Sequence, residues 1–280
     1  MNVVFIGIGL MGGSMSLAMK KNNFAKNYQA ISRNVTTLKK AVELNLIDSH
    51  GTFQELVPNA DFIVLATPID AIINQLPMVL DLIKETAVVI DLGSTKKSIV
   101  DSVVNHPKRK NFVAIHPIAG TEYSGPESAL ADLYENKTCI LCDIEKNTPI
   151  ILNKVKELLH LLKMNLVYMS SSDHDLYLAY VSHLSHIISF SLSNTVLNNK
   201  ENSKEILNLA GSGFASTVRL AKSSPEMWLP IYLDNKQNII KAIDGFTTKL
   251  LEIKTAIEKN DSKKIVEFLY NGNKIGKILK

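Results

Sequence analysis

The chain has 280 residues, 46% of them hydrophobic, which is enough to bury one or two ordinary cores, and the length favours two domains of unequal size. The formal charge of +4 is spread thinly, with Lys108-Arg109-Lys110 as the densest basic stretch, so nucleic acid is not an expected partner. No apolar run reaches transmembrane length, and no basic leader or small-residue cleavage site precedes Val3-Val4-Phe5-Ile6; we therefore expect no membrane association, a retained N-terminus and a cytoplasmic protein.

Short runs rich in Val and Ile recur over residues 3–6, 61–66, 87–91, 112–115 and 138–142, with a last one over 165–169. Segments of helical spacing at 11–21, 35–43 and 71–84 lie between them, a pattern that predicts parallel strands joined by crossover helices. Near-continuous apolar strands suit a sheet covered on both faces. Cys139 and Cys142 lie in one such strand, three residues apart, so they point to opposite faces and should stay unpaired, with no redox or metal role.

After residue 169 the pattern changes. Ser170-Ser171-Ser172-Asp173 supplies N-cap candidates, and a long run follows with Tyr177, Tyr180, Val181, Leu184, Ile187, Ile188, Ser191 and Leu192 at three and four spacing. Residues 231–259 and 262–271 also read as helices. The expected organisation is an α/β unit over 1–169 and an all-helical unit over 170–280.

Gly7-Ile8-Gly9-Leu10-Met11-Gly12 follows the first strand and opens a helix, the context that separates a dinucleotide fingerprint from a chance match. Gly7 permits the tight turn, Gly9 lets backbone approach a pyrophosphate, and Gly12 lets the helix pack closely on the strand. The fold class is thus α/β, a Rossmann-like doubly wound and mostly parallel sheet followed by helices. A second strand ending in Gln29-Ala30-Ile31 is followed by Ser32-Arg33 where NAD-binding domains usually carry an acid. A hydroxyl followed by a guanidinium can hold a 2'-phosphate, which tilts the expected cofactor toward NADP over NAD. Thr67-Pro68 ends another strand on the cofactor side.

Polar residues also follow the later strands: Gly93-Ser94-Thr95-Lys96 and His116-Pro117-Ile118-Ala119-Gly120-Thr121-Glu122, both placed to converge on the crevice where an α/β sheet binds ligands. The latter string, with Gly125-Pro126-Glu127, resembles the central motif of the prephenate and arogenate dehydrogenase family of tyrosine biosynthesis. Gly93-Ser94-Thr95-Lys96, His174-Asp175, residues 181–186, Gly211-Ser212-Gly213-Phe214 leading to Arg219, and Ser224-Pro225-Glu226-Met227-Trp228 agree with it in order. The resemblance spans almost the whole chain.

It implies oxidative decarboxylation of prephenate with hydride transfer to a nicotinamide. It also implies that His116 bonds the ring hydroxyl with support from Ser94, that Arg219 binds a substrate carboxylate, that Ser182, His186 and Thr121 contribute to binding, and that Glu122 gates or pairs. His183, three residues from His186 on the same helix face, is a further substrate-binding candidate, with simple helix packing as its alternative. The chain departs from the family at Ser185, often proline, and at Ala215-Ser216, often a basic-acidic pair, which leaves control of Arg219 open. The chemistry suits the residue types: a neutral histidine accepts the hydroxyl proton as hydride leaves, and carbon dioxide loss then aromatises the ring.

Arogenate dehydrogenase is the nearest alternative activity, since it differs only in the side chain of the substrate. A hydroxyacid dehydrogenase would place a catalytic lysine on the long helix, and none occurs over 173–199. A nucleotide sensor without catalysis would have lost His116, Ser94 or Arg219, and all three are present. No zinc-like ligand set is apparent. The apolar stripe over 231–257 and the likeness to a family of intertwined dimers lead us to expect a homodimer. Feedback by tyrosine is left open.

Overall fold

The computed structural model describes residues 1–121, 123–199 and 203–278. Strands and helices alternate through the first half. β1 (Asn2–Ile6) leads to α1 (Leu10–Lys21), β2 (Asn27–Ile31) to α2 (Val35–Glu43), and the two-residue β3 (Ser49–His50) to α3 (Phe53–Leu56). β4 (Phe62–Leu65) precedes α4 (Ile69–Leu82), and β5 (Val88–Asp91) precedes α5 (Lys97–Asp101). β6 (Phe112–Pro117) runs into β7 (Thr138–Cys142), and α6 (Pro149–Leu161) returns the chain to β8 (Asn165–Met169). From there the described residues hold no strand: α7 (Ser171–Leu178), α8 (Leu184–Leu197), α9 (Ser203–Asn208), α10 (Ser212–Val218), α11 (Pro225–Asp234), α12 (Lys236–Glu258) and α13 (Ser262–Asn273) follow in turn.

The strands form one sheet in the order β3-β2-β1-β4-β5-β6-β7-β8. Alternate residues of each strand feed two cores. Val3, Phe5, Val64, Ile90, Val113 and Leu141 pack beneath α1, α2 and α6, whereas Val4, Ile6, Ile63, Leu65, Val89 and Ala114 pack beneath α4, α5 and the start of α11. Burial on both faces is why these strands read as continuous apolar runs. Cys139 and Cys142 are free, buried and divided between the two cores, as their three-residue offset requires.

The strand order reverses between β1 and β4, which opens a crevice at the carboxyl ends of the parallel strands. One pairing departs from the sequence expectation: β7 is antiparallel to β6, with Ala114 opposite Cys142 and Pro117 opposite Cys139. An antiparallel partner needs no crossover helix. The connecting segment instead folds back over α1, where the Leu130 amide donates to Ser14 Oγ at 2.9 Å and the Tyr134 hydroxyl to the Met11 carbonyl at 2.7 Å.

The helical half differs from its sequence reading in two places. A π-turn over Ala179–His183 separates α7 from α8 and shifts the inward register, so Leu178, Ala179 and His183 are buried while Tyr177, Tyr180 and Val181 are exposed. The segment read as one helix over 231–259 breaks at Asn235, whose side-chain amide donates to the Asp175 carbonyl at 2.7 Å. Periodicity does not register the break because Ile231, Ile239 and Ala242 are all buried on either side of it. No helix among the described residues is long and apolar enough to cross a membrane.

Candidate active site

The glycine turn at the end of β1 is made by backbone fit. Gly7 has φ +94°, and a Cβ there would lie 2.6 Å from the Ala66 carbonyl oxygen, so a side chain is excluded twice over. A Cβ on Gly12 would collide with the Gly7 oxygen, which shows how closely α1 packs on the turn. Gly9 faces open space within 4 Å, room for a pyrophosphate. α1 begins with no side-chain cap and no acidic residue in its first turn, so its N–H groups and positive dipole end stay available to an anion. These features fit a dinucleotide. Ile8 is buried and so offers its backbone to this site, while Leu10 and Met11 pack partly on the core.

Ser32 and Arg33 directly follow β2, the neighbour of β1. Ser32 Oγ accepts from the Asn34 amide at 3.2 Å and the Arg33 side chain is exposed. Thr67 follows β4 and donates to Gln75 Oε1 at 2.9 Å, and Pro68 is the N-cap position of α4. All stand at the carboxyl end of the sheet, as does Ser94 in the turn after β5.

His116 is the next-to-last residue of β6, half-buried at that same end. Its Nδ1 lies 2.8 Å from Nε2 of His174, and His174 Nδ1 lies 2.7 Å from Asp175 Oδ1. Asp175 is itself held from three directions. Its Oδ1 accepts from the Lys96 amide at 2.7 Å, its Oδ2 from the Lys97 amide at 2.9 Å, and its carbonyl from Asn235. Burial, reinforced by neighbouring His174, Lys96 and His183, holds the His116 pKa well below the ordinary histidine value, so the ring is neutral near pH 7. Burial lowers His174 as well, against the opposing bond from Asp175.

Beneath this layer lies a fully buried charge pair. Lys96 Nζ bonds Asp91 Oδ2 and also the Ile115 carbonyl at 2.9 Å, which ties the ends of β5 and β6 together beside His116. The Gly93 amide also donates to Asp91 Oδ2 at 2.9 Å, and Asp91 Oδ1 is buried without a partner. The sequence signal for this pair was an acid ending an apolar strand five residues before a lysine. Spacing alone does not say that both are interior.

The helices supply the facing wall. His186 packs on Trp228 with ring centroids 4.0 Å apart, and Tyr232 continues the stack at 5.2 Å. His186 Nδ1 donates to the Ser182 carbonyl at 3.0 Å. Burial lowers the His186 pKa against the opposing bond to the Ser182 carbonyl, and the charge of Arg219, an exposed residue just after α10, adds to the lowering. Trp228 was legible only as part of a motif, and the structure makes it the centre of the stack.

His183 lies behind this wall. It is 1% exposed, its Nδ1 sits 3.3 Å from the Asn235 amide, and its ring meets the edge of Trp228 at 5.9 Å. Burial depresses its pKa to about 4. The inward rotation imposed by the π-turn makes it an interior packing residue. Thr121 is exposed, and its hydroxyl accepts from the Tyr123 amide at 3.3 Å. Glu122, expected to gate the site, lies outside the described residues. Ser185 is partly exposed, with its hydroxyl bonded back to the Val181 carbonyl, and Ala215 and Ser216 are exposed on α10. Among the described residues no cluster of three or more His, Cys, Asp or Glu could hold a metal ion.

A family model described as prephenate dehydrogenase, nucleotide-binding domain, matches residues 15–168, and one described as prephenate dehydrogenase, dimerization domain, matches residues 170–271. A prephenate dehydrogenase from Bacillus subtilis is 31% identical over 95% of this chain and 72% of its own length. Among solved structures, the prephenate dehydrogenase of A. aeolicus in complex with hydroxyphenyl propionate and NAD+ superposes with a TM-score of 0.90 at 34% identity, covering 99% of this chain and 97% of that one. The arogenate dehydrogenase of Synechocystis matches with a TM-score of 0.83 at 27% identity over the full length of both chains.

Proposed function

The chain belongs to the prephenate dehydrogenase family, and from that premise we propose how its residues divide the work of an oxidative decarboxylation. The enzyme is a nicotinamide-dependent oxidoreductase that converts prephenate to 4-hydroxyphenylpyruvate. Gly7, Gly9 and Gly12 would hold the pyrophosphate of a nicotinamide dinucleotide, which when bound would supply the acceptor for hydride from the ring carbon that bears the hydroxyl.

His116 Nε2 accepts the hydroxyl proton as that hydride leaves, and Ser94, on the neighbouring strand end, holds the same oxygen. The bond from ring to carboxylate then breaks, carbon dioxide departs, and the released electron pair restores aromaticity. The phenolate oxygen recovers its proton from His116. Arg219 holds the carboxylate that remains on the side chain, with Ser182, His186 and Thr121 completing the pocket and Trp228 stacked behind it. His183 packs behind this pocket against Trp228 and Asn235.

The carrying observation is a neutral histidine at the carboxyl end of the sheet, His116, whose Nε2 makes no hydrogen bond among the described residues and so stays available to a substrate hydroxyl. Exposed Arg33 beside Ser32, with no acid in this turn, favours NADP+ over NAD+. The likeness to the Synechocystis enzyme supports arogenate as the second candidate substrate. Unit boundaries at 1–169 and 170–280 and a homodimer belong to the same proposal: Leu250, Leu251, Ile257, Val266 and Leu269 are exposed on α12 and α13, an apolar surface of the kind a second subunit covers. Cytoplasmic residence accords with two buried, unpaired cysteines.

The test is nicotinamide reduction by purified enzyme with prephenate and arogenate, each with NAD+ and NADP+. The reading predicts turnover of prephenate with carbon dioxide release, fastest with NADP+. No turnover of either acid would overturn it.

A further inference from the structure

His174 and Asp175 stand beside the reacting histidine, and the reaction as written gives them no task. Their geometry constrains where protons can sit. Asp175 takes the Lys96 and Lys97 amides on its two oxygens, and its Oδ1 faces His174 Nδ1 at 2.7 Å. Carboxylate oxygens already receiving donors cannot supply a hydrogen to that contact, so His174 Nδ1 carries it. The reverse assignment would place a ring lone pair against a carboxylate lone pair at that distance. Burial keeps both imidazoles neutral near pH 7, so a ring protonated on Nδ1 is bare on Nε2.

The bare Nε2 of His174 lies 2.8 Å from His116 Nδ1 and accepts from it. His116 in turn has no proton left for its other nitrogen, which is the atom turned to the substrate. We propose that Asp175 and His174 are positioning residues that act through His116, fixing its Nδ1–H tautomer so that Nε2 is always the proton-accepting atom. In a free histidine side chain the other tautomer, protonated on Nε2, is the commoner one. A His116 protonated on Nε2 could only donate to a substrate oxygen and would hold the hydroxyl in an unproductive arrangement. The proposal rests on His116 being the base, and its test separates the two.

The tautomer is read directly from ring nitrogen-15 shifts in histidine-labelled enzyme without substrate, with the His116 signals identified by their loss in His116→Asn among the seven histidines. The wild type should show a protonated Nδ1 and a bare Nε2 on His116 at neutral pH. His174→Phe removes the acceptor and keeps a planar ring: His116 should become a tautomer mixture, and kcat should fall about ten- to a hundredfold, part of what a general base contributes, with KM for the nicotinamide unchanged. His174→Gln, which can accept from His116 and donate to Asp175, should restore both the shifts and most of kcat. A wild-type His116 protonated on Nε2, or unaltered His116 shifts in His174→Phe, would overturn the relay. If His174→Phe does not fold, the wild-type shifts and the glutamine variant still decide it. Full activity in His116→Asn would refute the base and leave the tautomer measurement standing by itself.

Discussion

The two ends of the crevice are built by opposite means. The nucleotide end centres on one short turn in which glycines make room and leave backbone N–H groups free, so its core lies within six residues of sequence. The catalytic end draws on β5, β6, α7, the π-turn and α11, and its bonds join residues as far apart as His116 and His174, 58 positions, or Lys96 and Asp175, 79 positions. A local site can be retuned at one residue with little effect on its surroundings. A site assembled across the chain shares its buried groups with the fold, so some of its residues should carry stability as well as catalysis.

The largest expected effect is on catalysis. His116→Asn should fold normally and lower kcat by about two to four orders of magnitude, the range of a lost general base, with smaller changes in substrate binding. Steady-state kinetics and the thermal transition check both halves of that statement, and a kcat reduced less than tenfold would make His116 structural.

Next comes the charge pair below it. Lys96→Met leaves Asp91 buried with one oxygen already unpartnered and unties the Ile115 carbonyl, so the unfolding free energy in urea should drop by about 3–5 kcal/mol. A change within 0.5 kcal/mol, the usual scatter of surface substitutions, would mean that the pair contributes little and that the two ends are more alike than their construction suggests.

The dependence of stability on pH sharpens the same contrast. His183 titrates near 4 in the folded state and near the ordinary 6.5 when unfolded, because burial disfavours its charged form. The unfolded chain therefore binds the proton more readily. Stability should be flat above about pH 6.5 and decline as pH falls toward 4, by about 3 kcal/mol from this group alone. His183→Gln should flatten that decline. An unchanged slope in the variant would place the titrating group elsewhere.

The smallest effect belongs to the local end. If Arg33 meets a 2'-phosphate, NADP+ should have the higher kcat/KM by roughly tenfold, the value of one charge-assisted hydrogen bond. Ser32→Asp should reverse the preference through repulsion while leaving the thermal transition in place. A wild type that prefers NAD+ would turn Arg33 away from the ribose.

The same division governs what could be read in advance. The glycine turn was legible because tight-turn geometry and close packing forbid other residues at Gly7 and Gly12 wherever the rest of the chain goes. His116 was legible as a strand-end residue before a proline, and its importance came from the ordered motifs around it. His183 and His186 look alike in sequence, and only the π-turn separates an interior ring from one at the pocket wall. The backbone irregularity responsible has no compositional signature, and the amphipathic stripe runs through it without interruption.

Residue order by itself determined every strand but the two-residue β3, the glycine turn, the opposed cysteines and the helical second half, since each follows from short-range sterics or from apolar periodicity of 2 or 3.6. Tertiary structure alone decided the antiparallel direction of β7, the break at Asn235, the burial of Lys96 with Asp91 and the line of contacts from Asp175 through His174 to His116. Those features depend on which partner arrives across a long separation, and a hydrogen bond takes its direction from both of its ends.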